Sequence, residues 1–403
     1  MRMKFNKSGQ LLLVSAASLA VACLLTACTQ FTETLTVDFV YVTSAKAAGP
    51  NNYGEVDVFE INSKSGHMRQ IPTSPFPSGG RNPVADAVSS DNANLFVVNQ
   101  DDNTIVNFNI GSDGKLYPKS TVNTPGVFPL ALTVVGSNLY VADTYQPLPT
   151  CSPASPCSGS IASYPIGEEG VLGTPAVNPS LSAAYWPLIV PGSPKDVVAP
   201  TSITALPDGS MVYVAAYDST ANTGYVFGFA SASGVLSPLN NGVPFPAGTH
   251  PSSITRDPTG TYVYVTDLAN ANILAFTVNS GTLNPLGGSP FPSGGQPTSM
   301  AIDATGKFAV VTNAQDSTVN TYSLSNGALT RAGTFSTGLQ PVAVGIDPRM
   351  NQYVFTANFL GNTVSGFQLQ MNDGTLLNTQ FSPFTANAQP TSVAAIPHNG
   401  STQ

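Results

Sequence analysis

Few residues in this 403-residue chain are of a type that does chemistry. A zinc site built on three imidazoles would consume all three histidines, His67, His250 and His398, which lie far apart in sequence. The carboxylates Asp257, Asp303 and Asp347 recur at regular intervals and suggest a ring of acids. Each begins or precedes a turn rich in Pro, Thr or Gly, so the acids recur because the turn recurs, and a structural role is expected. The run Asn99-Gln-Asp-Asp-Asn103 offers oxygen ligands to calcium but lacks the D-x-[DN]-x-[DN]-G spacing, so a solvated turn is expected there. No G-x-S-x-G nucleophile elbow is present, because the Ser-Gly-Gly copies belong to proline-rich loops. No metal and no cofactor are expected from these patterns. Charged residues make up 9% of the chain, against about a quarter in an ordinary domain. The formal charge of −8 and pI near 4.7 argue against nucleic acid as a partner, since phosphate-tracking proteins need a basic surface.

The first residues read as an export signal. Arg2, Lys4 and Lys7 precede an apolar run from Leu11 to Leu25, short for a membrane span and suited to a signal peptide. The run ends in Leu25-Thr26-Ala27-Cys28, which resembles the lipobox of bacterial lipoproteins. That resemblance implies cleavage after residue 27, lipid on Cys28, and two or three acyl chains that give a stable membrane anchor. An ordinary cleaved signal is the alternative. Thr29, in place of an aspartate, favours the outer membrane, so the expected location is the cell envelope, facing periplasm or exterior. Removing residues 1–27 takes three of the 14 basic residues and none of the 22 acidic ones, leaving 11 against 22 and a net −11. Of the four cysteines, Cys23 leaves with the signal and Cys28 carries lipid. Cys151 and Cys157 remain, and in an exported protein this C-x5-C pair reads as a disulfide.

Internal repeats decide the fold class. The heptapeptide Ser-Pro-Phe-Pro-Ser-Gly-Gly occurs at 74–80 and 289–295, with looser copies at 243–249 and 382–385. Seven turns of the form G-x-L or its variant start at Gly66, Gly114, Gly170, Gly234, Gly281, Gly327 and Gly374. Their spacing is 46 to 48 residues except around the third unit, where it is 56 and 64. β-branched and aromatic runs such as 39–44, 262–267 and 353–358 end in a polar residue in most units, and a second strand signal follows a proline at 83, 129, 200, 251, 297, 341 and 390. Each unit thus carries four short strand signals, here named A (after the proline), B, C and D, with no helical period. Seven such units predict an all-β, seven-bladed propeller of four-stranded antiparallel blades over residues 39–400, after a tether at 28–38. The chain enters at a B strand and ends on an A strand, so pairing the C-terminal strand with the N-terminal blade should close the ring and hide two sheet edges. A monomer is expected.

With B strands reading Tyr-Val-Tyr-Val-Thr and A strands reading P-x-S-x4-P-x-G at Pro200–Gly209 and Pro251–Gly260, the sequence resembles the lactonase-type propellers. These include the 6-phosphogluconolactonase-like enzymes and the related surface propellers with YVTN repeats. Trp186 is the only tryptophan, so a WD40 reading is poor. The resemblance implies a site at His250-Pro251 and Asp267-Leu268-Ala269, with alanine replacing the family's glycine. The family's Pro-Arg-His and Asn-Glu are replaced by Pro297-Thr298-Ser299 and Asn313-Ala314. His250 could act as a base and Asp267 as its orienter in lactone hydrolysis, both on the face carrying the B–C and D–A loops. The alternative is a loop cap at His250 and an Asx turn at Asp267, because Asn99, Asp143, Asn313 and Asn358 hold matching positions. Lys46, Arg81 and Lys195 are candidate anion holders. Unit three carries insertions at 144–160 and 176–199, which should overhang the same face and offer Tyr185 and Trp186 as a rim for a glycan or peptide. Trp186 plugging the ring or packed beneath its own loop is the alternative. Two function classes follow: a surface propeller that binds a carbohydrate, peptide or protein partner, and a hydrolase opening a sugar lactone.

Overall fold

The computed structural model describes residues 37–45, 50–62, 64–348, 352–387 and 389–397. Cys28, Lys46 and His398 lie outside the described residues, as does the whole export signal. The described strands form seven antiparallel sheets, each with strand A innermost. Blade 5 is typical, with A at Pro251–Arg256, B at Tyr262–Asp267, C at Asn272–Asn279 and D at Thr282–Pro285. Each A strand touches the A strands of the two flanking blades, and the circuit is complete. The C-terminal strand Pro390–Ile396 pairs with Val37–Ser44, in register from Phe39 opposite Ile396 to Thr43 opposite Ser392 and, after a one-residue shift, Ser44 opposite Pro390, and so closes blade 1.

B strands bury every residue in several blades because both faces of the sheet are covered by neighbouring blades. Seven apolar clusters result, each built by two adjacent blades; Tyr213, Val226, Ile254 and Val263 belong to the one between blades 4 and 5. The outermost strands are largely wet, as in Leu116–Asn123, where only Leu116 is buried.

Each repeated motif has a specific task. The B-strand tyrosine reaches across the gap to the next blade's G-x-L turn: Tyr41, Tyr213 and Tyr264 donate to the carbonyls of Gly114, Gly281 and Gly327 at 3.0–3.1 Å. Burial pushes all three phenols up. In the Ser-Pro-Phe-Pro motif the serine accepts an amide from strand C, Val58 to Ser74 at 2.8 Å and Ala275 to Ser289 at 2.9 Å. The following Phe-Pro then pairs with the start of that strand. Every strand A carries a one-residue bulge after its proline. In three blades the bulged hydroxyl latches onto the next blade: Ser252 donates to the Pro297 carbonyl, Thr298 to Pro341 and Thr391 to Pro83. The last of these fastens the C-terminal strand to blade 2.

Blade 3 departs from the expected layout. Its fourth strand is only Trp186–Pro187, which pairs with Ser160 and Ile161 at the start of strand C. The 176–199 insertion is therefore not one rim loop. Residues 177–185 bulge at the outer edge, Trp186–Pro187 returns to the sheet, and the chain from Leu188 to Val197 leads on to strand A.

Candidate functional site

The B–C and D–A loops share one face of the ring, and their contact is direct: the Leu268 amide donates to the His250 carbonyl at 2.9 Å. Opposite the proline of each strand A stands the end of strand B, giving Ser44, Asn99, Asp143, Asp267, Asn313 and Asn358, with Ala216 in blade 4. The six polar members are buried and most tie the D–A loop down. Asn313 Oδ1 accepts from the Gly294 amide at 3.0 Å, and Asp143 Oδ2 from Gly126 at 3.2 Å. The loop glycines are required by this close approach: a Cβ on Gly248, which has φ +79°, would sit 2.2 Å from Asp267 Oδ2.

Asp267 spends its carboxylate on this task. Its oxygens accept the amides of Thr249 (2.8 Å), His250 (3.0 Å), Ala269 (3.1 Å) and Asn270 (3.4 Å), together with Asn270 Nδ2 (2.7 Å). Burial alone would raise its pKa, but these donors outweigh it and hold the carboxyl below the usual range, so it is an anion at neutral pH. The His250 ring takes no part in this network. It lies flat on Tyr217, ring centroids 4.2 Å apart and planes 12° apart, while the Tyr217 hydroxyl donates to Asn222 Oδ1 at 2.7 Å. His250 and Asp267 are thus neighbours on one face, joined through the His250 backbone amide and not through the imidazole.

Trp186 is 2% exposed and packs with Ile161, Val198 and Phe227 between blades 3 and 4, so its indole does not project from the rim. It fills the slot that phenylalanine takes in the Ser-Pro-Phe-Pro copies, since Ile161 faces Trp186 as Val56 faces Phe76. Tyr185 is half-buried beside it and its carbonyl accepts Asn178 Nδ2. Lys195 is exposed on the loop preceding strand A. Cys151 and Cys157 form a disulfide with Cα atoms 5.5 Å apart. The stapled loop joins the Lys195 segment through Ser158, whose hydroxyl donates to the Asp196 carbonyl at 2.8 Å.

Arg81 lies across the ring from His250, at the junction of blades 1 and 2. Its Nε and amide each donate to Asp102 at 2.7 Å, so its charge is already matched. Asp102 belongs to the acidic run weighed as a calcium turn, and the arginine fixes it. Among the described residues no group of three or more His, Cys, Asp or Glu is placed to hold a metal. Asp257 and Asp303 cap the A–B turns on the opposite face, accepting the Tyr262 and Phe308 amides at 2.7 and 2.6 Å. Tyr217 is not singled out by the sequence pattern. The signal available was a strand B extended to Asp218 in blade 4, two residues beyond the position facing the proline, which carries Tyr217 out to His250.

The family described as lactonase, 7-bladed beta-propeller matches residues 189–340 and 293–399. The chain belongs to this family. No curated protein sequence is matched. Among solved structures the lactonase-family chain is similar to the periplasmic gluconolactonase of Pseudomonas aeruginosa, with a TM-score of 0.70, 19% identity, and 89% of this chain and 99% of that one covered. It is similar to candidate 6-phosphogluconolactonases from Bacteroides fragilis (TM-score 0.70, 18% identity, 90% and 99% covered) and Bacteroides uniformis (TM-score 0.67, 17% identity, 89% and 99% covered). At these identities the likeness is one of fold.

Proposed function

We propose that this lactonase-family propeller works in the cell envelope, tethered through lipid on Cys28, and binds a carbohydrate on the face formed by its B–C and D–A loops. The observation that carries this reading is the use made of Asp267. A carboxylate that accepts four backbone amides is a structural member of the strand-B ring, and its bond to His250 goes to the backbone amide and not to the imidazole. The same face carries the stacked, half-buried rings of Tyr217 and His250 together with amides and hydroxyls, the groups that meet sugar hydroxyls and the apolar faces of sugar rings. Of the candidate anion holders among the described residues, Arg81 is paired with Asp102, which leaves Lys195. An exported protein would also not meet 6-phosphogluconolactone, which is made in the cytosol. Cys28→Ala should move the protein to the soluble fraction, and membrane retention would contradict the tether.

A second reading, opening of an unphosphorylated sugar lactone, is favoured by the family and by the placement of His250 on the loop face. In that reaction His250 takes a proton from water, the hydroxyl adds to the lactone carbonyl, and the ring C–O bond breaks. The leaving alkoxide recovers the proton from the imidazole. Glucono-1,5-lactone hydrolysis, corrected for spontaneous opening, separates the two. Turnover abolished by His250→Ala would make the protein an enzyme. Saturable sugar binding with no turnover above background is the expected result.

A further inference from the structure

We infer that the cleft between blades 1 and 2 on the loop face is a binding site for an uncharged hexose unit, an inference that rests on the carbohydrate reading above. The cleft is open and about 690 Å³ in volume, lined by Asn51, Asn52, Tyr53, Arg81, Asp102 and Thr104 with Gly79 and Thr121. It draws on the B–C loops of both blades and the D–A loop between them, and so lies far round the ring from His250 on blade 5.

Two features point to a sugar. The first is composition. Tyr53 is the one aromatic ring of the lining, half-buried, and it is surrounded by amides, hydroxyls and one ion pair, the mix that satisfies an amphipathic sugar ring. The second is charge. Arg81 and Asp102 form a close pair, with Arg81 Nη2 2.5 Å from Asp102 Oδ1. Such a pair presents donors and acceptors to neighbouring hydroxyls while adding no net charge, so it suits a neutral polyol and not a phosphate. Asn51 and Asn52 stand at φ 68° and 57°, consecutive left-handed residues that hold the exposed rim of the cleft.

The test uses the full-length protein, purified in a detergent with no sugar headgroup, titrated with glucose, cellobiose and glucose 6-phosphate by ligand-observed NMR. Tyr53→Ala, Tyr53→Phe and His250→Ala are compared, with thermal midpoints confirming that each is folded. Cellobiose should bind the wild type, bind Tyr53→Phe equally well, and bind Tyr53→Ala about tenfold or more weakly, the loss of roughly one stacked ring. Glucose 6-phosphate should bind no tighter than glucose. Undiminished binding by Tyr53→Ala would overturn the cleft. If His250→Ala then loses binding, the carbohydrate reading survives and its site moves to the ring mouth. Tenfold tighter binding of glucose 6-phosphate would overturn the neutral class. No binding of either uncharged sugar by the wild type would remove the cleft proposal and the carbohydrate reading together.

Discussion

Replacing Asp86 with leucine should make the protein more stable above neutral pH while changing little near pH 4. Asp86 stands at the fourth position of strand A in blade 2, where the other blades carry Leu132, Ile203, Ile254, Met300, Val344 and Val393. One carboxylate oxygen accepts the Ser392 hydroxyl at 2.7 Å, and the other has no protein partner. Burial outweighs that hydrogen bond and raises the carboxyl from 3.8 to about 7. The folded protein therefore keeps a proton that the unfolded chain releases above 3.8. Its contribution to stability is whole below that value and is lost as pH rises through about 7. A rise from 3.8 to about 7 corresponds to roughly 4 kcal/mol as an upper bound. For a domain of this size that is about 5 °C in unfolding midpoint. At pH 4 the neutral carboxyl and leucine should differ by about 1 kcal/mol or less, because a lost hydrogen bond offsets a gained apolar contact. The assay is thermal or denaturant unfolding of both proteins from pH 4 to 8. Asp57 and Asp143 are also raised by burial, to about 6 and about 7, but both proteins contain them, so the difference curve isolates Asp86. Stability profiles that run parallel across that range would exclude a raised, proton-retaining Asp86.

Two further outcomes follow from a clasp between blades and from the stapled loop of blade 3. Tyr264→Phe leaves the Gly327 carbonyl without its donor and should cost about 1 kcal/mol in denaturant unfolding. An unchanged midpoint would deny the clasp its role. Reducing the Cys151–Cys157 disulfide, which closes a loop of seven residues, should lower stability by about 2 kcal/mol, and the double serine variant should show no response to reductant.

The strands, the turns and the ring closure were legible because each repeats, and a residue that recurs at one place in every blade reports architecture. The same repetition marks Asp257 and Asp303 as turn caps from sequence alone. Legibility failed where one blade breaks the pattern. Trp186 reads as a rim residue because blade 3 lacks the Ser-Pro that announces the Phe-Pro pair. Only the pairing of Ile161 with Trp186 reveals that the indole occupies the phenylalanine slot. The spacing of His250 and Asp267 puts them at one end of blade 5, but not the direction of their hydrogen bonds. That direction depends on Gly248 letting the loop fold over the carboxylate. Arg81 and Asp102 sit 21 residues apart, on the loop entering blade 2 and on that blade's B–C loop, so their pairing is a product of how the blade folds its two loops together.

A ligand site on the loop face is tested most directly by hydrogen exchange of the full-length protein with and without saturating cellobiose. Protection should be confined to the B–C and D–A loops and strongest at residues 50–54, 78–82 and 101–104. Protection on the A–B turns around Asp257 and Asp303, or none on the loop face, would rule that site out.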